Sequence, residues 1–215
     1  KQPPLPQHEA KWGNNPIDAF IAARLQAEGL KPSPEAAKEI LLRRVTFDLT
    51  GLPPTVSEIR QFMDDQKPQA YERLVDRLLT SPRFGERWGR HWLDVVRFGE
   101  STGHLTVNND KPRVNAWKFR DAVIRALNED MPFDAFVRMH FVPDNKHNEL
   151  GQFIQLGPRL QDNANPNDKQ FHRLDDMVAT TGKAFLGISF GCARCHDHPV
   201  DPMTTEEYYQ LTATF

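Results

Sequence analysis

Residues 174–196 read LDDMVATTGKAFLGISFGCARCH, and this stretch decides how the rest of the chain is interpreted. Apolar or small side chains recur at Leu174, Met177 and Thr181, and this spacing of three or four residues is typical of one face of an α-helix. The helical pattern continues up to residues 191–196, which contain both cysteines of the chain. The stretch therefore predicts a helix that is followed at once by a segment with its own chemistry.

Helix start signals recur along the whole chain. An asparagine or serine followed by proline predicts a helix start, because proline at the first helical position lacks only an N–H that the first turn leaves unpaired. A threonine followed three residues later by glutamate has the spacing of a capping box. We therefore expect an all-α fold, a multi-helix orthogonal bundle with long loops. The signals are Asn15-Pro16, Ser33-Pro34, Ser81-Pro82, Thr55 with Glu58, and Thr204 with Glu207.

Several segments break the helical pattern. Residues 1–14 are Pro-rich and are expected to be extended, and residues 99–113 are expected to form a polar loop. Residues 142–170 are interpreted as a long irregular loop, a kind of segment that is usually functional or mobile. Within them, the short apolar run at residues 153–156 is compatible with a strand, but it has no obvious partner. We interpret residues 1–215 as a single helical domain.

The composition excludes several classes of protein. The 215 residues carry a formal net charge of −2, and no stripe of Lys and Arg is present, so no nucleic-acid partner is expected. No apolar stretch is long enough to cross a bilayer, so no membrane span is expected. Two cysteines are too few for a disulfide scaffold. The chain opens with KQPPLP rather than a leader sequence, which is interpreted as the processed start of an exported protein.

Residues 192–196 have the C-x-x-C-H pattern of covalent c-type haem attachment. Two thiols three residues apart reach the two vinyl groups of one porphyrin, and the adjacent imidazole of His196 then lies beneath the iron as an axial ligand. The prediction is one covalent haem c, attached through Cys192 and Cys195 in a C-terminal haem-attachment segment. Both cysteines of the chain are used in this way.

Three other interpretations of the cysteine pair stay open. A zinc site would use Cys192, Cys195 and His198, but a structural zinc site needs a fourth ligand. A thioredoxin-like C-x-x-C needs a strand–turn–helix context, whereas a helix precedes this pair. A bare structural disulfide explains the two cysteines but leaves His196 without a role.

The second axial ligand is predicted from helical faces. His91 is the first candidate, because on a helix over residues 82–98 it shares an apolar, aromatic side. Met177, on the packed face of the helix before the cysteines, is the second candidate. His198 is too close to His196 to reach the opposite face of the iron, so we expect it to contact a haem propionate or to fix the turn. Further candidates are Met203, His104, His140, His147 and His172.

Long stretches of the sequence are similar to a known family. They are PID (16–18), RR (43–44), FDLTGLPP (47–54), LVDRLL (74–79), RWGRHWLD (87–94), ALNEDMP (126–132), DMV (176–178) and GCARCHDH (191–198). Together they resemble a large planctomycete family of unknown function that is typically fused to cytochrome-c-like modules. The resemblance covers nearly the whole chain. It implies an exported protein that is a fragment or a stand-alone subunit, because members are usually longer and have a further C-terminal domain.

The expected function is that of an extracytoplasmic c-type cytochrome-like domain that transfers electrons, in the periplasm or outside the cell. No phosphate-binding loop, nucleophile elbow or zinc-protease helix is present in the sequence. Redox partner proteins or further subunits are the expected partners. Two alternatives stay open. The first is a haem or non-haem metal enzyme subunit with an open coordination site, suggested by Glu100, His104 and Asp110. The second is an interaction module whose structural haem holds residues 142–170.

Overall fold

The computed structural model describes residues 3–7, 12–13, 15–102, 110–158 and 165–215. Its regular structure is helical, so the predicted all-α, multi-helix class is confirmed. Two 3-10 helices and one π-helical turn add to the α-helices: Asn148–Gln155, Phe190–Arg194 and Gly182–Leu186, respectively. The α-helices are α1 Pro16–Ala27, α2 Lys38–Thr50, α3 Val56–Asp64, α4 Ala70–Leu79, α5 Pro82–Val95, α6 Ala116–Asn128, α7 Phe133–Phe141, α8 Pro166–Thr181 and α9 Thr205–Thr212.

Little extended structure occurs in these ranges. Ser101 and Pro112 form one isolated antiparallel bridge, and no longer β-ladder is found among the described residues. Of the predicted extended segment, residues 1–14, only residues 3–7 and 12–13 are described, and they form no regular element. None of the described helices has the length and apolar character that a membrane crossing requires.

Local signals set most helix starts. Both predicted capping boxes form, with the threonine hydroxyl accepting from the backbone N–H of the glutamate three residues later. The predicted start at Ser33-Pro34 is wrong, because α2 begins at Lys38 without a side-chain cap. The Lys38 ammonium donates to the carbonyl oxygens of Phe62 and Asp65, at 3.5 and 2.8 Å. A tertiary contact to the end of α3 thus accompanies this start.

The buried apolar side chains form three clusters. The first cluster joins α5, α6, α7 and the 3-10 helix Asn148–Gln155, and it contains Phe119, Phe136 and Phe153. The second cluster joins α2, α3 and α4 around Leu42. The third cluster lies where α8 and α9 meet the cysteine segment; its members are Val178, Phe190, Ala193 and Tyr208.

Residues 142–158 and 165–170 contain more regular structure than predicted. The 3-10 helix Asn148–Gln155 occupies their middle, and α8 begins at Pro166. The run at residues 153–156 forms no strand, because Phe153 lies in that 3-10 helix and is 1% exposed. Three residues per turn place every third side chain on one face, so a short apolar run is buried here without any strand partner.

Helix α5 packs against α6 through two glycines. A Cβ atom on Gly85 would lie 2.5 Å from the backbone carbonyl oxygen of Ile124. A Cβ atom on Gly89 would lie 3.1 Å from the side chain of Ile124. The Gly85 N–H also donates to the Asn128 side chain at 2.8 Å. The face of α5 that lacks side chains is therefore the face that contacts α6.

This packing corrects the expectation for His91. The histidine is exposed, and Trp88 beside it is 43% exposed, with the two ring centroids 5.6 Å apart. The predicted apolar, aromatic side of α5 is therefore partly exposed to solvent. The reason is that the glycines of α5, which approach α6 closely, set which face of α5 is buried. The opposite side carries the expected exposed ion pair between Arg90 and Asp94.

Candidate functional site

The cysteine segment is set by a tight change of direction after α8. The chain passes through the π-helical turn Gly182–Leu186 and reverses at Gly187, whose φ of +67° favours glycine. A Cβ atom on Gly182 would lie 2.8 Å from the carbonyl oxygen of Ile188 and 2.9 Å from the Phe190 ring. Phe190 packs into this space with no exposed surface and so anchors the 3-10 helix that follows.

The two cysteines lie one turn apart at the end of that 3-10 helix, with Cys192 inside the helix and Cys195 at its C-cap. Three residues per turn place Cys192 and Cys195 on the same side, and the Cys195 N–H donates to the Cys192 carbonyl oxygen at 3.3 Å. Ala193, between them, has no exposed surface, whereas both cysteines are exposed, free thiols. Both cysteines are therefore exposed to solvent, while the backbone that carries them is anchored by the buried side chains of Phe190 and Ala193.

The next residue, His196, has a defined tautomer. Its Nδ1 lies 2.8 Å from the carbonyl oxygen of Asp197. A carbonyl only accepts hydrogen bonds, so in the neutral ring Nδ1 carries the proton and Nε2 has the lone pair. The side chain is exposed. A hydrogen bond from one ring nitrogen to a carbonyl is what orients a metal-bound histidine and raises the basicity of the other nitrogen.

His198 has the opposite tautomer. Its Nδ1 accepts backbone N–H bonds from Val200 and Asp201, at 3.2 and 2.7 Å, so the proton of the neutral ring lies on Nε2. That nitrogen is 3.7 Å from a carboxylate oxygen of Asp201. The backbone N–H of His198 donates to the carbonyl oxygen of Met203 at 2.8 Å. The imidazole therefore closes the turn between the cysteine segment and α9.

A network of side chains holds the segment from the other end. Arg194, between the two cysteines, lies 3.3 Å from one carboxylate oxygen of Asp175 on α8. The Tyr208 hydroxyl on α9 donates to the other oxygen at 2.5 Å. Burial, this hydrogen bond and the charge of Asp175 raise the pKa of Tyr208 above its ordinary value. The sequence reasoning missed Asp175 and Tyr208, because neither stands in a recognisable motif.

The two candidates for the second axial ligand lie on other helices. His91 is on α5, which packs against α2, α4 and α6. Met177 is on α8, which contacts the 3-10 helix of the cysteines, but its side chain is 2% exposed. Met203 is half-buried and packs against the third cluster, which contains Ala193. The structure thus joins the cysteines, His196 and His198 in one segment.

The remaining histidine candidates have other surroundings. His140 is fully buried, and burial lowers its pKa to about 4. Its Nδ1 donates to the Phe136 carbonyl oxygen at 2.7 Å, and its Nε2 accepts from the Trp92 indole at 3.1 Å. His147 lies against Asp144, with 2.9 Å between Nδ1 and the carboxylate. His172 is exposed on α8, and His104 lies outside the described residues.

Of the residues named for an enzyme alternative, Glu100 and Asp110 have other partners, and His104 lies outside the described residues. Glu100 pairs with Arg120 at 2.7 Å, and Asp110 accepts a hydrogen bond from Thr102. Across residues 15–102, 110–158 and 165–215, no three His, Cys, Asp or Glu side chains are grouped as a metal ion would require. The zinc interpretation therefore lacks a preassembled set of ligands in that part of the chain.

Fold and site together define a class: an all-α protein that carries an exposed C-x-x-C-H segment between two helices. The chain belongs to the PSCyt2 family, described as a protein of unknown function (DUF1549), whose model matches residues 16–215. No curated protein and no solved structure matches the chain.

Proposed function

We propose that this chain binds one haem c covalently through Cys192 and Cys195, with His196 as an axial ligand, and transfers electrons outside the cytoplasm. The observation that carries the proposal is the contact of His196 Nδ1 with the Asp197 carbonyl oxygen, which leaves Nε2 of this exposed side chain without a hydrogen-bond partner among the described residues, beside two exposed thiols. Histidine ligands bind iron through such a nitrogen. A bound haem would supply the Fe(III)/Fe(II) couple, which exchanges one electron, next to the segment that the third cluster anchors.

The thiols suit the attachment chemistry. Each thiol would add across one vinyl group of the haem: the S–H bond and the vinyl π bond would break, and a C–S bond and a C–H bond would form. No electron is gained or lost, and no oxidant is needed. Because both thiols are exposed and free, they are accessible to a porphyrin without a rearrangement of the buried Ala193. The motif therefore fits the group in chemistry and in exposure.

The opposite face of the iron distinguishes electron transfer from a second candidate function. That candidate is a haem or non-haem metal enzyme subunit with an open coordination position. It is favoured by the enclosure of Met177 and by the position of His91 on a helix that packs on α2, α4 and α6. Electron transfer remains our first proposal, because the sequence has no other catalytic motif. Its partners would be redox proteins or further subunits.

Covalent attachment is tested by expressing the full chain with an export signal in a host that matures c-type cytochromes. We expect one haem per chain, measured by pyridine haemochrome spectra and retained on a denaturing gel. The double variant Cys192→Ser with Cys195→Ser should lose the haem completely, whereas Arg90→Gln, on the exposed face of α5, should keep it. A folded, exported wild-type chain with bare thiols would overturn the proposal, and tightly held zinc would replace it.

Axial ligation is tested on the haem-loaded chain. His91→Ala and Met177→Leu remove the two candidate ligands, and only the true ligand should change the spin state of the iron. Carbon monoxide or cyanide binding to the wild type would favour the enzyme candidate. A six-coordinate haem that binds neither ligand would favour electron transfer.

A further inference from the structure

Arg194 is the residue between the two cysteines whose side chain contacts α8. Its guanidinium lies 3.3 Å from the Asp175 carboxylate and 4.6 Å above the centre of the Phe171 ring. The planar guanidinium pairs and stacks at once, which a lysine ammonium does not reproduce. The side chain of Arg194 is 37% exposed, so the contact is accessible to water but is held from two sides.

The carboxylate of Asp175 is itself fixed. The hydroxyl of Tyr208, a residue with no exposed surface, donates to Oδ1, while Arg194 takes Oδ2. One carboxylate thus joins α8, α9 and the 3-10 helix of the cysteines. Since both of its oxygens are engaged, Asp175 is a defined anchor rather than a mobile surface charge.

The backbone is tied on both sides of the exposed pair Cys195 and His196. On the upstream side, the Tyr209 hydroxyl donates to the carbonyl oxygen of Arg194 at 3.1 Å. On the downstream side, the Asp197 carboxylate accepts from the N–H of Thr205 at 2.9 Å, at the start of α9. The chain between the anchors is short, so its conformation depends on both of them.

We propose that Arg194 is a positioning residue, which holds Cys195 and His196 outward and keeps His196 in its Nδ1-protonated tautomer before any cofactor binds. The relevance of this role to haem rests on the proposed function, but the role itself is a property of the chain without a ligand. Loss of the Arg194 contact would free the backbone at one anchor. The hydrogen bond from His196 to the Asp197 carbonyl oxygen would then open more often.

The test measures the tautomer directly. The full chain without haem is labelled with ¹⁵N-histidine, and ring-nitrogen chemical shifts are recorded at about pH 8, above the ordinary histidine pKa. His196 is assigned with His196→Gln, and buried His140, which has the same tautomer, serves as an internal reference. We expect the Nδ1-protonated form of His196 to dominate in the wild type. In Arg194→Gln the tautomer ratio should fall, by up to about fivefold, which is the upper end for an exposed ion pair.

Further variants separate positioning from general stability. Asp175→Asn should lower the ratio as Arg194→Gln does, and the double variant should add little, because both remove one contact. Arg194→Lys should restore part of the ratio, since it keeps the charge but not the stacking. Arg90→Gln, which breaks an exposed pair on α5, should leave it unchanged.

An unchanged ratio in a folded Arg194→Gln would overturn the proposal. If that variant does not fold, Asp175→Asn decides, since it removes the carboxylate charge that the Arg194 guanidinium contacts: a lowered ratio supports the proposal and an unchanged one overturns it. A ratio that depends on Arg194 in a chain that never acquires haem would support positioning while the proposed function fails. The two conclusions are therefore tested separately.

Discussion

His140 and His196 share a tautomer but lie in opposite surroundings. Each donates its Nδ1–H to a backbone carbonyl oxygen, at 2.7 and 2.8 Å. The Nε2 of His140 accepts from the Trp92 indole inside the first cluster, whereas His196 is exposed. Rings surround His140 with centroids 4.6 to 5.7 Å away; they belong to Trp92, Phe119, Phe136, Phe153 and Phe185.

The difference shows how one side chain serves two purposes. A histidine with both nitrogens paired in an apolar cluster specifies packing, because any loss of a partner leaves a buried polar atom unsatisfied. A histidine with one nitrogen paired and the other exposed is oriented but still able to bind. Substitutions in the first cluster, whose aromatic rings surround His140, should therefore lower the free energy of unfolding strongly. Substitutions of the exposed side chains in the cysteine segment should change it little.

The largest effect on the free energy of unfolding is expected in the first cluster. Phe153 is 1% exposed and contacts the rings of His140 and Phe185. Phe153→Ala should lower the free energy of unfolding by about 3–5 kcal/mol, because it removes buried apolar area and leaves a cavity. Urea unfolding measures this. The matched control Phe133→Ala, at a residue 63% exposed, should cost less than about 0.5 kcal/mol. Equal losses would contradict the assigned core.

Acidification should act through His140. Its pKa is about 4 in the folded chain against 6.5 as the ordinary value, so the unfolded chain takes up the proton first as the pH falls. The stabilisation is complete above pH 6.5 and is lost as the pH falls from 6.5 to 4, by up to about 3 kcal/mol. Unfolding free energies across this range measure the slope. His140→Gln cannot titrate and should flatten it; parallel curves for the two proteins would assign the slope elsewhere.

A smaller loss is expected at the contact between α5 and α6. Alanine favours helices over glycine by about 0.5–1 kcal/mol, yet a Cβ on Gly85 would lie 2.5 Å from the Ile124 carbonyl oxygen. Gly85→Ala should therefore destabilise the protein by about 1–3 kcal/mol in thermal unfolding. Gly191→Ala is the control beside the cysteines, because no atom lies within 4 Å of its added Cβ. An unaffected Gly85→Ala would show that α5 packs by another face.

The smallest effect is expected at the thiols. In the chain without haem, Cys192→Ser with Cys195→Ser should change the free energy of unfolding by less than about 0.5 kcal/mol, since both side chains are exposed and unpaired. Chemical unfolding with circular dichroism measures it. The same double variant then serves as a folded negative control for haem attachment. A large loss would place the cysteines in the core and remove the contrast with His140.

Features that depend on near neighbours were predictable. The all-α class and the capping boxes at Thr55 and Thr204 follow from periodicity and from contacts within four residues. The structure of residues 153–156 was not predictable, since a short run with three apolar residues fits a strand or a 3-10 turn equally well. The face of His91 was mispredicted, because the apolar pattern gave no weight to Gly85 and its approach to α6.

The amino-acid order alone determined that helices dominate, and that two thiols and an imidazole stand within five residues of one another. Tertiary structure decided that these thiols and this imidazole are exposed to solvent. The partners that orient this segment come from α8 and α9, through Asp175, Tyr208 and Thr205. Hydrogen bonds between elements depend on how helices pack, and packing is settled by side chains distant in the chain. A local pattern can therefore name the reactive groups, but it cannot orient them.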